Sequence, residues 1–127
     1  MALDIRNPED VKPAFDRAVA FGAKAFVNVN SRRFAFATEA ERRKLPAIYT
    51  DVEYVTAGGL MSLGPGHLEG YNGAAKYVGE ILQGADPAAL PVAGATQITL
   101  SVRRSSLAKL GLTLPPDIAA RVNDWLD

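Results

Sequence analysis

The segment GGLMSLGPG, residues 58–66, constrains the fold of this chain more than any other part of its sequence. Four of its nine residues are glycine, and glycine adopts backbone conformations with positive φ that other residues resist. Leu60 and Met61 lie between the two glycine groups, which predicts a short buried strand that runs directly into a helix. Bare backbone allows close approach, so the segment suits a ligand or a chain crossover.

Helical and strand-like patterns alternate on both sides of this segment. Helices are predicted over residues 8–22, 31–44, 66–83, 105–110 and 116–126. Strands are predicted around residues 3–5, 25–29, 45–49 and 96–102, with loops or turns over 51–57 and an extended linker over 86–92. This alternation predicts one α/β domain, residues 1–127, built on a parallel sheet flanked by helices.

The composition excludes several classes of function. The 14 basic residues balance the 14 acidic ones, so no net field attracts nucleic acid, and no nucleic-acid partner is expected. Cysteine is absent and there is one histidine, which leaves no ligand spacing for a metal, and no cofactor is predicted. No apolar run approaches the ~18 residues of a membrane span. A secretory leader pattern is missing, so we expect either a processed protein or a piece of a longer one.

Nucleophilic catalysis is disfavoured by the sequence. Ser62 and His67 are the only serine and histidine close together, and Ser62 does not stand in the GxSxG pattern of a nucleophile elbow. His67 falls in the first turn of a predicted helix, where a capping or exposed role is the simpler interpretation. No catalytic residue is therefore predicted, and a small serine hydrolase using Ser62 is the weakest alternative.

Ligand binding is more plausible at the ends of the predicted strands. The amide groups that follow Gly64-Pro65-Gly66 could receive a carboxylate or phosphate, although a tight turn that merely starts a helix is the favoured interpretation. Asn30 and Ser31 stand at another strand-to-helix junction, and Tyr49 ends a third strand. The carboxyl ends of parallel strands share one edge of a sheet, where ligands usually bind.

Several motifs then occur in a characteristic order. These are PAIY at residues 46–49, GGLMSLGP at 58–65, a helix and linker at 77–92, and RSSLAKLGLTLPP at 104–116. The chain resembles the carboxy-terminal part of ABC-transporter substrate-binding proteins of the tryptophan/tyrosine-binding type. Segments 6–10 and 30–33 also resemble segments of that family.

The resemblance implies a fold and a function. The fold would be part of the second lobe of a type I periplasmic binding protein, with the helix over residues 66–83 belonging to the first lobe. Such a protein is a periplasmic receptor that closes on a small solute and presents it to permease subunits of the transporter. It carries out no reaction, so the protein would not be an enzyme. Hinge or crossover positions are Gly58, Gly64, Pro65 and Pro91.

The predicted ligand is a small amino-acid-like or aromatic solute. Its contacts are predicted at Asn30, Ser31, Tyr49, Gly59 and Ser62. Amides and hydroxyls would bind its polar head, and the Tyr49 ring would form an apolar wall.

The chain length relative to this family predicts association with another chain. A strand of the family's second lobe is missing between those near Leu3 and Ala25, which leaves strand edges and apolar surface unpaired. We therefore expect a homo-oligomer, with domain swapping as one form of it. An oligomerising α/β module that binds no ligand is the alternative from a different class.

Overall fold

A computed structural model describes residues 5–29, 35–94 and 97–127 of the chain, without the side chains of residues 67–69. Five strands in this part of the chain form one sheet in the order β1-β2-β3-β4-β5. The strands are β1 Phe26–Val27, β2 Ala47–Tyr49, β3 Met61–Pro65, β4 Ile98–Arg103 and β5 Asp124–Leu126.

Helices connect and flank these strands, which confirms the α/β class. They are α1 Val11–Ala20, α2 Ala35–Arg42, α3 Val52–Thr56, α4 His67–Leu82, α5 Arg104–Leu110 and α6 Pro116–Ala119. Short 3-10 turns cover Pro8–Asp10 and Pro87–Ala89. The segment after Tyr49, predicted as a loop or turn, is the short helix α3.

The sheet is mixed, whereas the sequence predicted a parallel one. β1, β2 and β3 run parallel, as do β4 and β5, but β3 and β4 are antiparallel. Ile98, the first residue of β4, pairs with Pro65, the last residue of β3. The chain leaves β3 through α4 and its linker and returns to the same end of the sheet, so β4 must run in the opposite direction.

The carboxyl terminus differs most from expectation. The predicted helix over residues 116–126 is wrong beyond Ala119, because residues 124–126 form β5 beside β4. Asn123 holds the chain beside β4 through two hydrogen bonds to Leu100. Its backbone amide donates to the Leu100 carbonyl at 2.9 Å, and its Oδ1 accepts from the Leu100 amide at 2.8 Å. Pairing with a neighbouring strand therefore overrides the local helical pattern. Leu3, in the predicted first strand, lies outside the described residues, and Ile5 is in no strand.

The core is formed where α1 and α2 cover β1 and β2. The rings of Phe15, Phe26 and Phe36 lie with centroids 4.9 to 6.1 Å apart, and Tyr49 belongs to the same buried cluster. The Arg43 guanidinium lies 5.5 Å from the Phe15 centroid and forms ion pairs with Asp16 and Glu39. Arg43 lowers the pKa of the Asp16 carboxyl by hydrogen bonding to it.

The glycine segment allows β3 to pack closely on the chain before it. A Cβ at Gly59 would lie 2.7 Å from the Tyr54 carbonyl oxygen and 2.8 Å from Cε2 of Tyr49. A Cβ at Gly64 would overlap the Thr50 carbonyl oxygen. Gly58 has φ +110°, which other residues rarely adopt. The predicted strand that leads into a helix is confirmed, and its glycines give the close approach.

Lys44, in the turn that follows α2, has an unusual backbone conformation. Its φ of 53° lies in the left-handed region, where glycine is the usual residue. The turn is closed by hydrogen bonds from the Lys44 amide to the Glu41 carbonyl and from the Leu45 amide to the Ala40 carbonyl, at 3.0 and 2.9 Å. Lys44 therefore carries a side chain at a position where the backbone conformation favours glycine.

Replacing Lys44 with glycine should stabilise the protein by about 1 kcal/mol, because a left-handed conformation costs an L-residue about that much. Urea unfolding followed by circular dichroism measures the change. Lys24→Gly is the matched control, since Lys24 is also exposed in a loop but lacks a positive φ. Equal effects of the two substitutions would contradict the assignment of backbone strain to Lys44.

Gly64→Ala should destabilise the protein by about 2 kcal/mol or more, because the new methyl group displaces the Thr50 backbone in a packed region. The free energy of unfolding in urea measures this cost. Gly73→Ala is the control, because a Cβ there meets nothing within 4 Å and alanine favours the α4 helix. A Gly64→Ala variant as stable as Gly73→Ala would show that β3 does not need this close approach.

Candidate functional site

The carboxyl ends of the three parallel strands meet at one edge of the sheet, which we call the strand-end edge. Asn28 follows β1 there, and its backbone amide donates to the Ile48 carbonyl at 2.9 Å. In the register of the sheet, Tyr49 of β2 lies beside Ser62 of β3. Two of the five predicted ligand contacts are therefore neighbours, as the sequence suggested.

Tyr49 is enclosed by the core. Its exposed fraction is 1%, and its ring stacks on Tyr54 with centroids 4.7 Å apart and planes 6° from parallel. Gly59, another predicted contact, lies against the edge of the same ring. The Tyr49 hydroxyl is buried with no hydrogen-bond partner among the described residues. Burial, and secondarily the neighbouring Tyr54, raises the pKa of Tyr49, so its hydroxyl stays protonated at neutral pH.

Ser62 is 2% exposed and lies between two hydroxyl-bearing residues in the sheet. Its register partners are Tyr49 on β2 and Ser101 on β4. The Ser101 hydroxyl donates in turn to Oδ2 of Asp124 at 3.3 Å. Because Ser62 lies within β3, it lacks the strand-to-helix turn on which a nucleophile elbow presents its serine.

The remaining predicted contacts, Asn30 and Ser31, lie outside the described residues. Asn28, which the sequence interpretation overlooked, is buried where β1 ends. The signal for it was available, because a single amide in the otherwise apolar run of residues 25–29 is unusual for a strand. A buried amide usually has a specific hydrogen-bonding role. Asn28 therefore joins the candidate residues of the strand-end edge.

The predicted hinge positions lie before β3, at its end and on the connection from β3 to β4. Gly58 precedes β3, Gly64 and Pro65 end it, and Pro91 belongs to the linker that follows α4. The Pro91 carbonyl accepts a hydrogen bond from the Tyr77 hydroxyl at 2.6 Å, which holds the linker against α4. A crossover between two lobes and hinge movement at these positions both stay predictions.

Two other kinds of site are absent from the described part of the chain. No cluster of three or more His, Cys, Asp or Glu residues is placed there to hold a metal ion. None of its helices combines the length and apolar character that crossing a membrane requires.

Sequence comparison places the chain in a transport family. The family described as ABC transporter substrate binding protein matches residues 9–125, nearly the full chain. A comparison with curated protein sequences finds no match.

Solved structures have the same fold. A conserved domain protein from Vibrio cholerae is 25% identical, with a TM-score of 0.80, over 92% of this chain and 41% of its own. An ABC domain from Streptococcus pneumoniae in complex with L-Trp is 17% identical, with a TM-score of 0.83, over 99% of this chain and 44% of its own. A ligand-free, open substrate-binding protein with adhesive properties from Clostridium difficile is 18% identical, with a TM-score of 0.65, over 97% and 42%.

The chain spans less than half of the length of each of these structures. The family match nevertheless covers far more than half of the chain itself. The chain therefore belongs to the ABC transporter substrate binding protein family, whose members bind solutes and catalyse no reaction on them.

Proposed function

We propose that the protein is the solute-binding component of an ABC-type uptake transporter, acting in the periplasm, and that its solute is a small amino-acid-like or aromatic compound. The family match over residues 9–125 carries this proposal. The fold shared with a protein that holds L-Trp supports an amino-acid-like ligand. Permease subunits would be the protein partners, as for other uptake receptors of this kind.

The solute is proposed to bind at the strand-end edge. Ser62 and the residues after β1, including Asn30 and Ser31, would hold its polar head by hydrogen bonds, and Asn28 adds a buried amide. The Tyr49 ring and the bare backbone of Gly59 would form the apolar wall. Junctions of this kind, at the carboxyl ends of parallel strands, are where open α/β sheets bind their ligands.

The chain is proposed to form part of the second lobe of a two-lobed receptor. In that arrangement α4 would pack in the first lobe, and Gly58, Gly64, Pro65 and Pro91 would lie at the crossovers between lobes. The exposure of α4 supports this, because residues 70–76 of the helix are all exposed. A helix with an apolar face is stable when that face is covered by another part of a protein.

A panel of amino acids and other small solutes should contain at least one that raises the melting temperature. At a hundred times its dissociation constant, a ligand stabilises the folded state by ~2.7 kcal/mol, because it binds only that state. Thermal unfolding monitored by circular dichroism detects this, and calorimetry gives the affinity of each hit. No shift with any member of the panel would favour the alternative, an α/β module that has no ligand.

Ser62→Ala should weaken the binding of that solute about fivefold, the usual effect of one lost hydrogen bond. Ser105→Ala is the matched control, because Ser105 is an exposed serine at the start of α5. Equal affinities of the Ser62 and Ser105 variants would remove Ser62 from the binding site without affecting the family assignment.

We also propose that the isolated chain associates with a second copy through α4. Large apolar side chains on this helix are exposed, with Leu82 at 82%, Tyr71 at 67% and Val78 at 55%. Tyr71, Val78 and Leu82 follow the seven- and four-residue spacing of one helix face. Two copies of such a face can cover each other, and the zero net charge of the chain adds no repulsion between copies.

Light scattering at micromolar concentration should therefore give a mass above that of one chain. The double substitution Val78→Glu with Leu82→Glu should reduce the measured mass to that of one chain, because burying two carboxylates between the copies is costly. Val92→Glu is the control, because Val92 is fully exposed in the linker outside α4. A wild-type mass of one chain would exclude this association.

A further inference from the structure

A cavity of about 270 Å³ lies between α2, α5 and β2, on the side of the sheet where these two helices pack. Its apolar walls are formed by Ala37, Ala40, Ala47 and Leu60, and Lys44 and Lys109 contribute charge. The three alanines leave the space that larger core residues would fill. This volume is close to the lower limit of known small-molecule pockets and fits a molecule with one ring.

Most of the cavity lining lies at the amino ends of β2 and β3, and the cavity shares Tyr49 with the solute site proposed above. Lys44 and Leu45 come just before β2, and Gly58 and Leu60 come just before β3, so these lining residues mark the amino ends of the two strands. Ser106 of α5 closes this side by donating a hydrogen bond to the Gly58 carbonyl at 3.0 Å. The solute proposed above would also contact Asn28 and Ser62, and neither of these residues lines the cavity.

A buried polar group also lines the cavity. Tyr49 is part of its wall, and the Tyr49 hydroxyl has no hydrogen-bond partner among the described residues although its side chain is 1% exposed. Buried hydroxyls in folded proteins are nearly always satisfied by a protein group, a water molecule or a ligand. An oxygen atom of a bound molecule would supply the missing acceptor.

The charges around the cavity favour an anion. The Lys109 ammonium is paired with Oε1 of Glu41 at 2.5 Å, which balances one positive charge. Lys44 is exposed and forms no ion pair with any described residue, so its charge is not balanced. The left-handed backbone of Lys44 keeps a cation beside the cavity where glycine would be less strained.

We propose that this cavity is a second small-molecule site, for a one-ring carboxylate that also carries an oxygen acceptor. The ring lies among Ala37, Ala40 and Ala47, the carboxylate contacts the Lys44 ammonium, and the oxygen acceptor accepts a hydrogen bond from the Tyr49 hydroxyl. Such a ligand needs no α-amino group, which distinguishes it from an amino acid bound at the strand-end edge.

The probe for this site is 4-hydroxyphenylacetate, added to the ¹⁵N-labelled chain and followed by two-dimensional NMR. Saturable shifts are expected at the amides of Ala40, Gly58 and Ser106. Tyramine has the same ring and phenol, but its ammonium group is positively charged. It should bind at least tenfold more weakly, because the Lys44 ammonium would repel that charge. Absence of saturable shifts, or shifts confined to Asn28 and Ser62 of the strand-end edge, would overturn the proposal.

Two variants test the named contacts. Ala40→Leu fills the cavity and should abolish binding, whereas Lys44→Gln should weaken it about tenfold by removing a charge-assisted contact. Lys24→Gln is the control for Lys44→Gln, since Lys24 is an exposed lysine that does not line the cavity. Because Lys44 is exposed, Lys44→Gln should leave folding intact, so it tests the site even if Ala40→Leu disturbs folding. Unchanged probe affinity in Lys44→Gln would overturn the assigned orientation and the site with it.

Discussion

The close packing of β3 against the chain before it is the contact on which the rest of the fold depends. Gly64 lies against the Thr50 backbone, and Gly59 lies against Tyr54 and the Tyr49 ring. β3 then pairs with β2 on one side and with β4 on the other, so it joins the parallel and antiparallel parts of the sheet. Any side chain at Gly59 or Gly64 would separate elements that both halves of the sheet need, because packed interiors absorb little extra volume.

Local sequence patterns were sufficient to predict the helices and strands that form because of their neighbouring residues. The glycine segment predicted a strand that enters a helix, and the helix after it ends where Gly84 adopts a φ of +98°. The α/β class followed from the alternation of such elements. Within the candidate site, both Tyr49 and Ser62 were predicted as ligand contacts, and the register of β2 and β3 makes them neighbours, with the last residue of β2 beside the second residue of β3.

Parts of the fold that depend on contacts between residues far apart in sequence could not be predicted from local patterns. Residues 124–126 form β5 because β4 offers a free edge and Asn123 pairs with Leu100, and neither fact is contained in the local helical pattern. The antiparallel direction of β4 depends on where the chain returns after α4. Asn28 is a different case, because its position as the single amide in the apolar run of residues 25–29 could have indicated it, although its burial arises from the packing around β1.

Tyr49 is part of both sites that we propose for binding, the strand-end edge and the cavity. Its ring contacts Gly59, which leads into β3, while the same residue lines the cavity beneath α2 and α5. Because burial raises the pKa of Tyr49, its hydroxyl remains a neutral donor across the physiological pH range. Movement of this ring would press directly on the Gly59 backbone, where the structure leaves no free space. A molecule in the cavity that moved this ring would therefore press on Gly59, two residues before the start of β3.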